Sequence, residues 1–173
     1  MNKIDFNPFP ELQTNQYKLR QLNRNDVEKI FEIRSSVEVA KYLDRPLAKT
    51  INDGLAFIEK INIGIARNEV IYWGITKKET SEIIGTITLW QISKDGLKAE
   101  IGFELLPEFQ GLGIMKAVVK EVVQFAFEEM KLTVIEGEVD PNNIKSIKLM
   151  EKFGFVFGIS LEKTDIYFLK QTV

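Results

Sequence analysis

The chain has 173 residues, a hydrophobic fraction of 45% and a formal net charge of −2, which fits one globular domain over residues 1–173 with one core. It carries no block of basic residues, so non-specific binding to nucleic acid or to an anionic membrane is not expected. It has no cysteine and no histidine, which removes disulfides, thiolate catalysis, cysteine-type zinc sites and the Ser-His-Asp triad.

Acid–base chemistry must therefore come from Glu, Asp, Tyr, Lys, a Ser or Thr hydroxyl, or water. No Asp-rich loop suggests a metal site. The opening residues lack the apolar core of a secretory signal, and no stretch is long enough to cross a bilayer, so a cytoplasmic location is expected.

Residues 1–16, interrupted by Pro8 and Pro10, are expected to form an irregular arm. Residues 17–22 alternate and should be the first strand. A turn follows, with Asn25 or Asp26 as the N-cap of a helix that carries Val27, Ile30, Phe31 and Ile33 to about Ser36. Residues 37–49 form a connector broken at Pro46. A second helix starts at Thr50 and has Leu55, Ile58, Ile61 and Ile65 on its apolar face.

Residues 70–76 and 83–90 are two strands joined by a short polar segment, the pattern of an antiparallel hairpin. The turn at residues 93–96 leads into a strand at 99–106, in which Ile101, Phe103 and Leu105 alternate with Gly102 and Glu104. Pro107 ends it. After a Gln110-Gly111-Leu112-Gly113 turn the period changes: Met115, Val119, Val122 and Ala126 share one helical face, and Lys116, Lys120 and Gln124 another. Residues 133–139 are a strand. Asp140 to Asn143 start a helix with Ile144, Ile147, Met150 and Phe153 inward, and Gly154 stops it. Two last strands span 155–161 and 166–169. The order β-α-α-β-β-β-α-β-α-β-β predicts a mixed α/β (α+β) domain: a largely antiparallel central sheet flanked by helices, with one strand–helix–strand crossover.

The strand, glycine turn and helix at residues 100–130 have the makings of an anion site. The first turn of a helix exposes backbone N–H groups without internal partners, and its dipole adds roughly half a positive charge. Glycines let a phosphate approach the backbone. A Gly-x-Gly turn is as often only a turn. This one lacks the Gly-Lys-Ser/Thr of a Walker loop and the third glycine of GxGxxG.

Glu100 and Glu104 lie on one face of their strand. By themselves they fit either a general base or solvated strand carboxylates. Asn143 and Ser146 lie three apart on a helix, where they fit either a ligand site or a cap and a small residue.

Two signatures make a family visible. Gln110-Gly111-Leu112-Gly113-Ile114 resembles the acyl-CoA pyrophosphate loop of the GNAT N-acetyltransferases, Gln/Arg-x-x-Gly-x-Gly/Ala, with Met115 at the last position. Residues 143–155 resemble the family's N-x-x-S-x-x-L-x-E-K-x-G-F. The element order matches the family over almost the whole chain. Glu100-Ile101-Gly102-Phe103 is similar to the E-I-G-Y/F segment of the RimJ/RimL-like branch.

The resemblance implies an acetyl-CoA-dependent N-acetyltransferase. Glu100 would be the catalytic base, directly or through water, and Ser146 the proton donor to the leaving thiolate. Many members place a tyrosine where Met150 stands, and methionine cannot donate a proton. The resemblance further implies that Phe103, Glu104, Leu105, Gln110, Gly111, Leu112, Gly113, Ile114, Met115 and Asn143 contact the cofactor, with backbone N–H groups near Phe103 to Leu105 binding the developing oxyanion.

Without a cysteine no thioester enzyme intermediate can form, so direct transfer within a ternary complex is expected. Proximity then supplies up to about 7–11 kcal/mol. The expected partner is an amine acceptor, on a small molecule or a protein N-terminus. A homodimer is compatible with the resemblance and has no warrant of its own in the residues. The alternative is a non-catalytic acyl-CoA-binding or sensing module on the same fold.

Overall fold

Two adjacent strands, Ile71–Lys77 (β3) and Ile83–Trp90 (β4), are buried over nearly their whole length. Their β-branched and aromatic side chains are therefore covered on both faces, and the rest of the fold supplies the covers. The computed structural model describes residues 4–171.

In chain order the other elements are strands Leu12–Gln13 (β1) and Tyr17–Arg20 (β2), helix Val27–Ser35 (α1) and helix Ile51–Ala66 (α2). After the β3–β4 hairpin come strand Lys98–Leu105 (β5), helix Ile114–Glu128 (α3), strand Val134–Val139 (β6), helix Ile144–Lys152 (α4), and strands Val156–Ser160 (β7) and Asp165–Lys170 (β8). They build one eight-stranded sheet in the order β1-β2-β3-β4-β5-β6-β8-β7. Every neighbouring pair is antiparallel except β5 and β6, the pair joined by the α3 crossover.

Helices α1 and α2 cover one face of the sheet. Phe57 of α2 meets Tyr72 edge-on, with ring centroids 5.5 Å apart. The register places Tyr72, Thr88 and Gly102 in one row and Gly74, Thr86 and Glu104 in the next. Helix α3 covers the other face, where Phe125 stands edge-on to the buried Trp73. Its stripe of Met115, Val118, Val119, Val122 and Ala126 is buried as its spacing predicts, at about 1.5–3 kcal/mol for each large apolar side chain. Helix α4 lies on this second face too. A Cβ at Gly137 would stand 2.5 Å from Met150 Sδ, so the absence of a side chain there lets α4 come down onto β6.

Two expectations change. Ile144, expected inward on the last helix, is 52% exposed. The arm expected to be irregular contains β1, which pairs Leu12 with Leu19 and Gln13 with Lys18. Two residues are too few to show a period, and the strand is held by its neighbours. Phe6 is buried, Phe9 stands against Trp73, and Trp73 Nε1 donates to Pro10 O at 2.7 Å. Residues 1–3 of the arm lie outside the described residues.

The first helix starts at Val27 with Asp26 at its N-cap position, as expected, and a 3₁₀ turn over Arg24–Asp26, capped by Asn23, precedes it. Asn23 Oδ1 accepts from Asn25 N at 2.9 Å, and Asp26 Oδ2 accepts from Asn23 N at 2.8 Å. Asp26 is buried, and the Arg20 guanidinium grips both its oxygens at 2.7 and 2.9 Å. A buried carboxylate needs such a partner. Thr50 caps α2 as expected, in a capping box with Asp53.

Candidate active site

Strands β5 and β6 pair at only three positions: Lys98 with Val134, Ala99 with Ile135, and Glu100 with Glu136. Beyond them β5 continues against β4 alone, and β6 against β8 alone. The sheet therefore opens as a wedge at the carboxyl end of its one parallel pair. Helices α3 and α4 follow directly from these two strands, so both N-termini stand at the wedge. The ends of parallel strands are where open sheets commonly bind ligands.

Leu106 N donates to Ile84 O at 3.0 Å. Antiparallel alternation then turns the backbone groups of Glu104 and Gly102 toward β4, and those of Phe103 and Leu105 toward the open edge. Of the three residues expected to offer backbone donors, two face the wedge. Glu104 instead points its side chain onto the α1–α2 face, where Arg45 holds it at 2.7 Å.

The glycine turn has the left-handed backbone that its two glycines allow. Gly111 and Gly113 have φ of +75° and +78°, which side chains with a Cβ rarely adopt. No atom lies within 4 Å of where either Cβ would be, so the turn needs glycine for its backbone and leaves free space around it. Gly113 is the N-cap of α3 and has no side chain to cap with. The first-turn N–H groups of Ile114, Met115 and Lys116 are thus left for a ligand. The helix has no acidic residue in its first turn.

Ile114 and Met115 point their side chains into the core, so only their backbones can serve the site. This explains how methionine is accommodated at the departing position. Gln110 Nε2 donates to Leu105 O at 3.1 Å, which ties the turn to the strand end. Leu112 is exposed.

Glu100 sits where the wedge begins. Gln91 Nε2 donates to its Oε2 at 2.8 Å. Burial, then the nearby charge of Glu138 and more weakly that of Glu136, push its carboxyl up to about 7, while the Trp90 indole offsets part of the rise. A carboxyl that titrates near neutrality is suited to accept and release protons. A Cβ on Gly102 would stand 3.3 Å from Thr88 and 3.9 Å from Trp90 Nε1, so the glycine keeps the strand face beside Glu100 low.

Asn143 is the N-cap of α4, and its side chain accepts from Ser146 N at 3.3 Å. Its amide N–H groups remain available. Ser146 stands one turn before the buried Met150, on the half-buried side of the helix. Glu100 thus approaches the wedge from the α1–α2 face, and Asn143 and Ser146 stand at the start of α4 on the other. Among the described residues no group of three or more His, Cys, Asp or Glu is placed to hold a metal ion, and no helix is long and apolar enough to cross a membrane.

Sequence reasoning missed the residues that shape the α1–α2 side of the cleft. Arg45 links Glu104 to the end of α1, donating to Arg34 O at 2.9 Å and Ile33 O at 3.2 Å. Arg34 stacks on Phe57 at 3.8 Å. The run of 37–49 shows no period, and nothing in it announces a partner 59 positions away.

A family model for the acetyltransferase (GNAT) domain matches residues 17–156. The chain is 33% identical over 147 residues to the uncharacterized N-acetyltransferase YoaA of Bacillus subtilis, covering 85% of this chain and 83% of that one. Among solved structures it resembles spermidine N-acetyltransferase from Vibrio cholerae in complex with CoA and spermine, with TM-score 0.78 and 23% identity over 91% of this chain and 97% of that one. It also resembles RimL, a ribosomal L7/L12 alpha-N-protein acetyltransferase in complex with coenzyme A, with TM-score 0.83 and 15% identity over 93% and 98% of the two chains. Wedge, uncapped helix and sequence relationship agree: the chain belongs to the GNAT acetyltransferase family.

Proposed function

We propose that the chain transfers an acetyl group from acetyl-CoA directly to a primary amine, with Glu100 as the base. The observation that carries this reading is a carboxyl pushed up to about 7 where the sheet opens. The free N–H groups of the α3 first turn receive the pyrophosphate, with Gly111 and Gly113 allowing its approach and Gln110 positioning the turn. The open edge of β5 offers the N–H groups of Phe103 or Leu105 to the thioester oxygen as negative charge develops on it. Asn143 holds the carrier's amides from the α4 side.

The amine nitrogen bonds to the thioester carbonyl carbon and gives its proton to Glu100, directly or through one water. The carbon–sulfur bond then breaks, and the sulfur leaves as thiolate or takes a proton from Ser146. The similar structures, one a spermidine N-acetyltransferase and one a ribosomal-protein N-acetyltransferase, support a primary amine on a small molecule or a protein N-terminus as acceptor.

Glu100→Gln tests the assignment. It keeps the side-chain shape and removes the base, so kcat should fall about 10²–10⁴-fold while acetyl-CoA affinity, read by thermal shift, stays near that of the wild type. Unchanged turnover removes Glu100 from the reaction. A burst of acetylated protein in the absence of acceptor overturns direct transfer.

A further inference from the structure

The α1–α2 face of the cleft is electrically lopsided. At its inner end, Glu100 and Glu138 have no cationic partner among the described residues, whereas Glu136 pairs with Lys98 at 3.0 Å. Four residues along β5, roughly 13 Å at strand rise, the sign reverses. There two guanidinium groups, Arg34 and Arg45, stand near one carboxylate, Glu104, and only Arg45 pairs with it. Arg45 takes that carboxylate with Nε and Nη2, both at 2.7 Å. It spends its remaining donors on the carbonyls of Ile33, Arg34 and Pro46.

Arg34 has no ion pair and donates no hydrogen bond among the described residues, yet it is half-buried, with its guanidinium carbon over the Phe57 ring at 3.8 Å from the centroid. Burial, and then the charge of Arg45, lower its pKa, and the charge of Glu104 offsets only part of this. Tyr72, the nearest further polar group, stays neutral, since burial raises its pKa and its hydroxyl is bonded to Thr86 at 3.0 Å. No side-chain nitrogen here is sealed from solvent without a partner. The Arg34 nitrogens, which have no hydrogen-bond partner among the described residues, therefore keep solvent access. A guanidinium packed over an aromatic ring with its donors unspent is suited to a carboxylate.

We propose that Arg34 anchors a carboxylate on the acceptor, so that the preferred substrates are amines whose carboxylate stands several bonds from the reacting nitrogen. This rests on the assignment of Glu100 as the base, because the acidic end of the cleft must then receive the ammonium. The strand span from Glu100 to Glu104, roughly 13 Å, is too long for a single α-amino acid to bridge. It suits an amine and a carboxylate at opposite ends of an extended molecule, such as a terminal amino carboxylate or a short peptide with an acidic group.

The test compares two series in steady-state assays with acetyl-CoA. One holds unbranched amino carboxylates of increasing length, with amine and carboxylate at opposite ends. The other holds n-alkylamines of matching length. The expected result is a kcat/KM ratio favouring the carboxylates by roughly tenfold or more at an intermediate length, the scale of a charge-assisted contact.

Arg34→Met keeps an apolar stem against Phe57 and should bring that ratio close to one. Arg34→Lys, which keeps the charge without the fork, should fall between. A purely structural role would lower both series together and leave the ratio as it is. Alkylamines accepted as well as carboxylates at every length, or a preference that survives both substitutions, overturns the proposal. So does turnover of neither series. In that case a thermal shift with acetyl-CoA separates the failures. A retained shift leaves acetyl-CoA binding standing without this acceptor subsite, and no shift removes the acetyl-CoA reading as well.

Discussion

Glu100 carries a conflict that predicts two opposite responses to pH. The unprotonated form is the base, so kcat/KM should rise with pH and level off above an apparent pKa near 7. Stability runs the other way. The folded state holds a proton on Glu100 that the unfolded chain has lost by about pH 4.5. The folded chain therefore binds more protons between about 4.5 and 7, and the stability tied to that proton is lost as pH rises through the window. Glu100→Gln removes the conflict, and denaturant unfolding at pH 8 should show it about 1–3 kcal/mol more stable than the wild type while nearly inactive. Equal or lower stability at that pH contradicts a desolvated carboxyl. Glu138→Gln should shift the acid limb of the pH–rate profile to lower pH, because Glu138 is the larger of the two charges that raise Glu100.

At the scale of elements, the turn before α3 is the sensitive point for cofactor binding. Gly113→Ala places a Cβ at a φ of +78°, a strain of roughly 1–2 kcal/mol. It should weaken acetyl-CoA binding in calorimetry, since relief of the strain rotates the first-turn N–H groups away. Asp26→Ala removes a buried partner of Arg20 and one arm of a capping box, and should destabilise by about 3 kcal/mol or more in urea unfolding.

The elements themselves were mostly legible, because their periods are long enough to read: the β3–β4 hairpin, the α3 stripe and the start of α4 at Asn143 all stand where the spacing places them. β1 was not legible, because two residues carry no period. The capping box at Asn23 was missed because its three polar neighbours compete for the same role and only the packing of Asp26 against Arg20 decides between them. In the site, Glu100, the glycine turn and Asn143 with Ser146 are local patterns and could be found. Arg34, Arg45 and Glu104 meet through tertiary contact alone, which no spacing encodes.

For the whole molecule, the sheet order matters more than any one element. Five strands, β1 to β5, stand on one side of the wedge and three, β6, β8 and β7, on the other. α3 packs with the first group and α4 with the second. The three paired positions between β5 and β6 are therefore a seam. Backbone amides near this seam should open more easily than those in the middle of β4, where residues 85–89 have a partner on each side. A ligand that touches both the α3 turn and the start of α4 spans the seam. Hydrogen exchange should then slow on binding acetyl-CoA across β6 and β8 as well as at the contact residues. Protection confined to the residues around Gly113 would show that the halves do not respond together. Regarded as a mechanical object, the sheet is two unequal plates joined by a short seam, and a co-substrate that reaches both would pin them together.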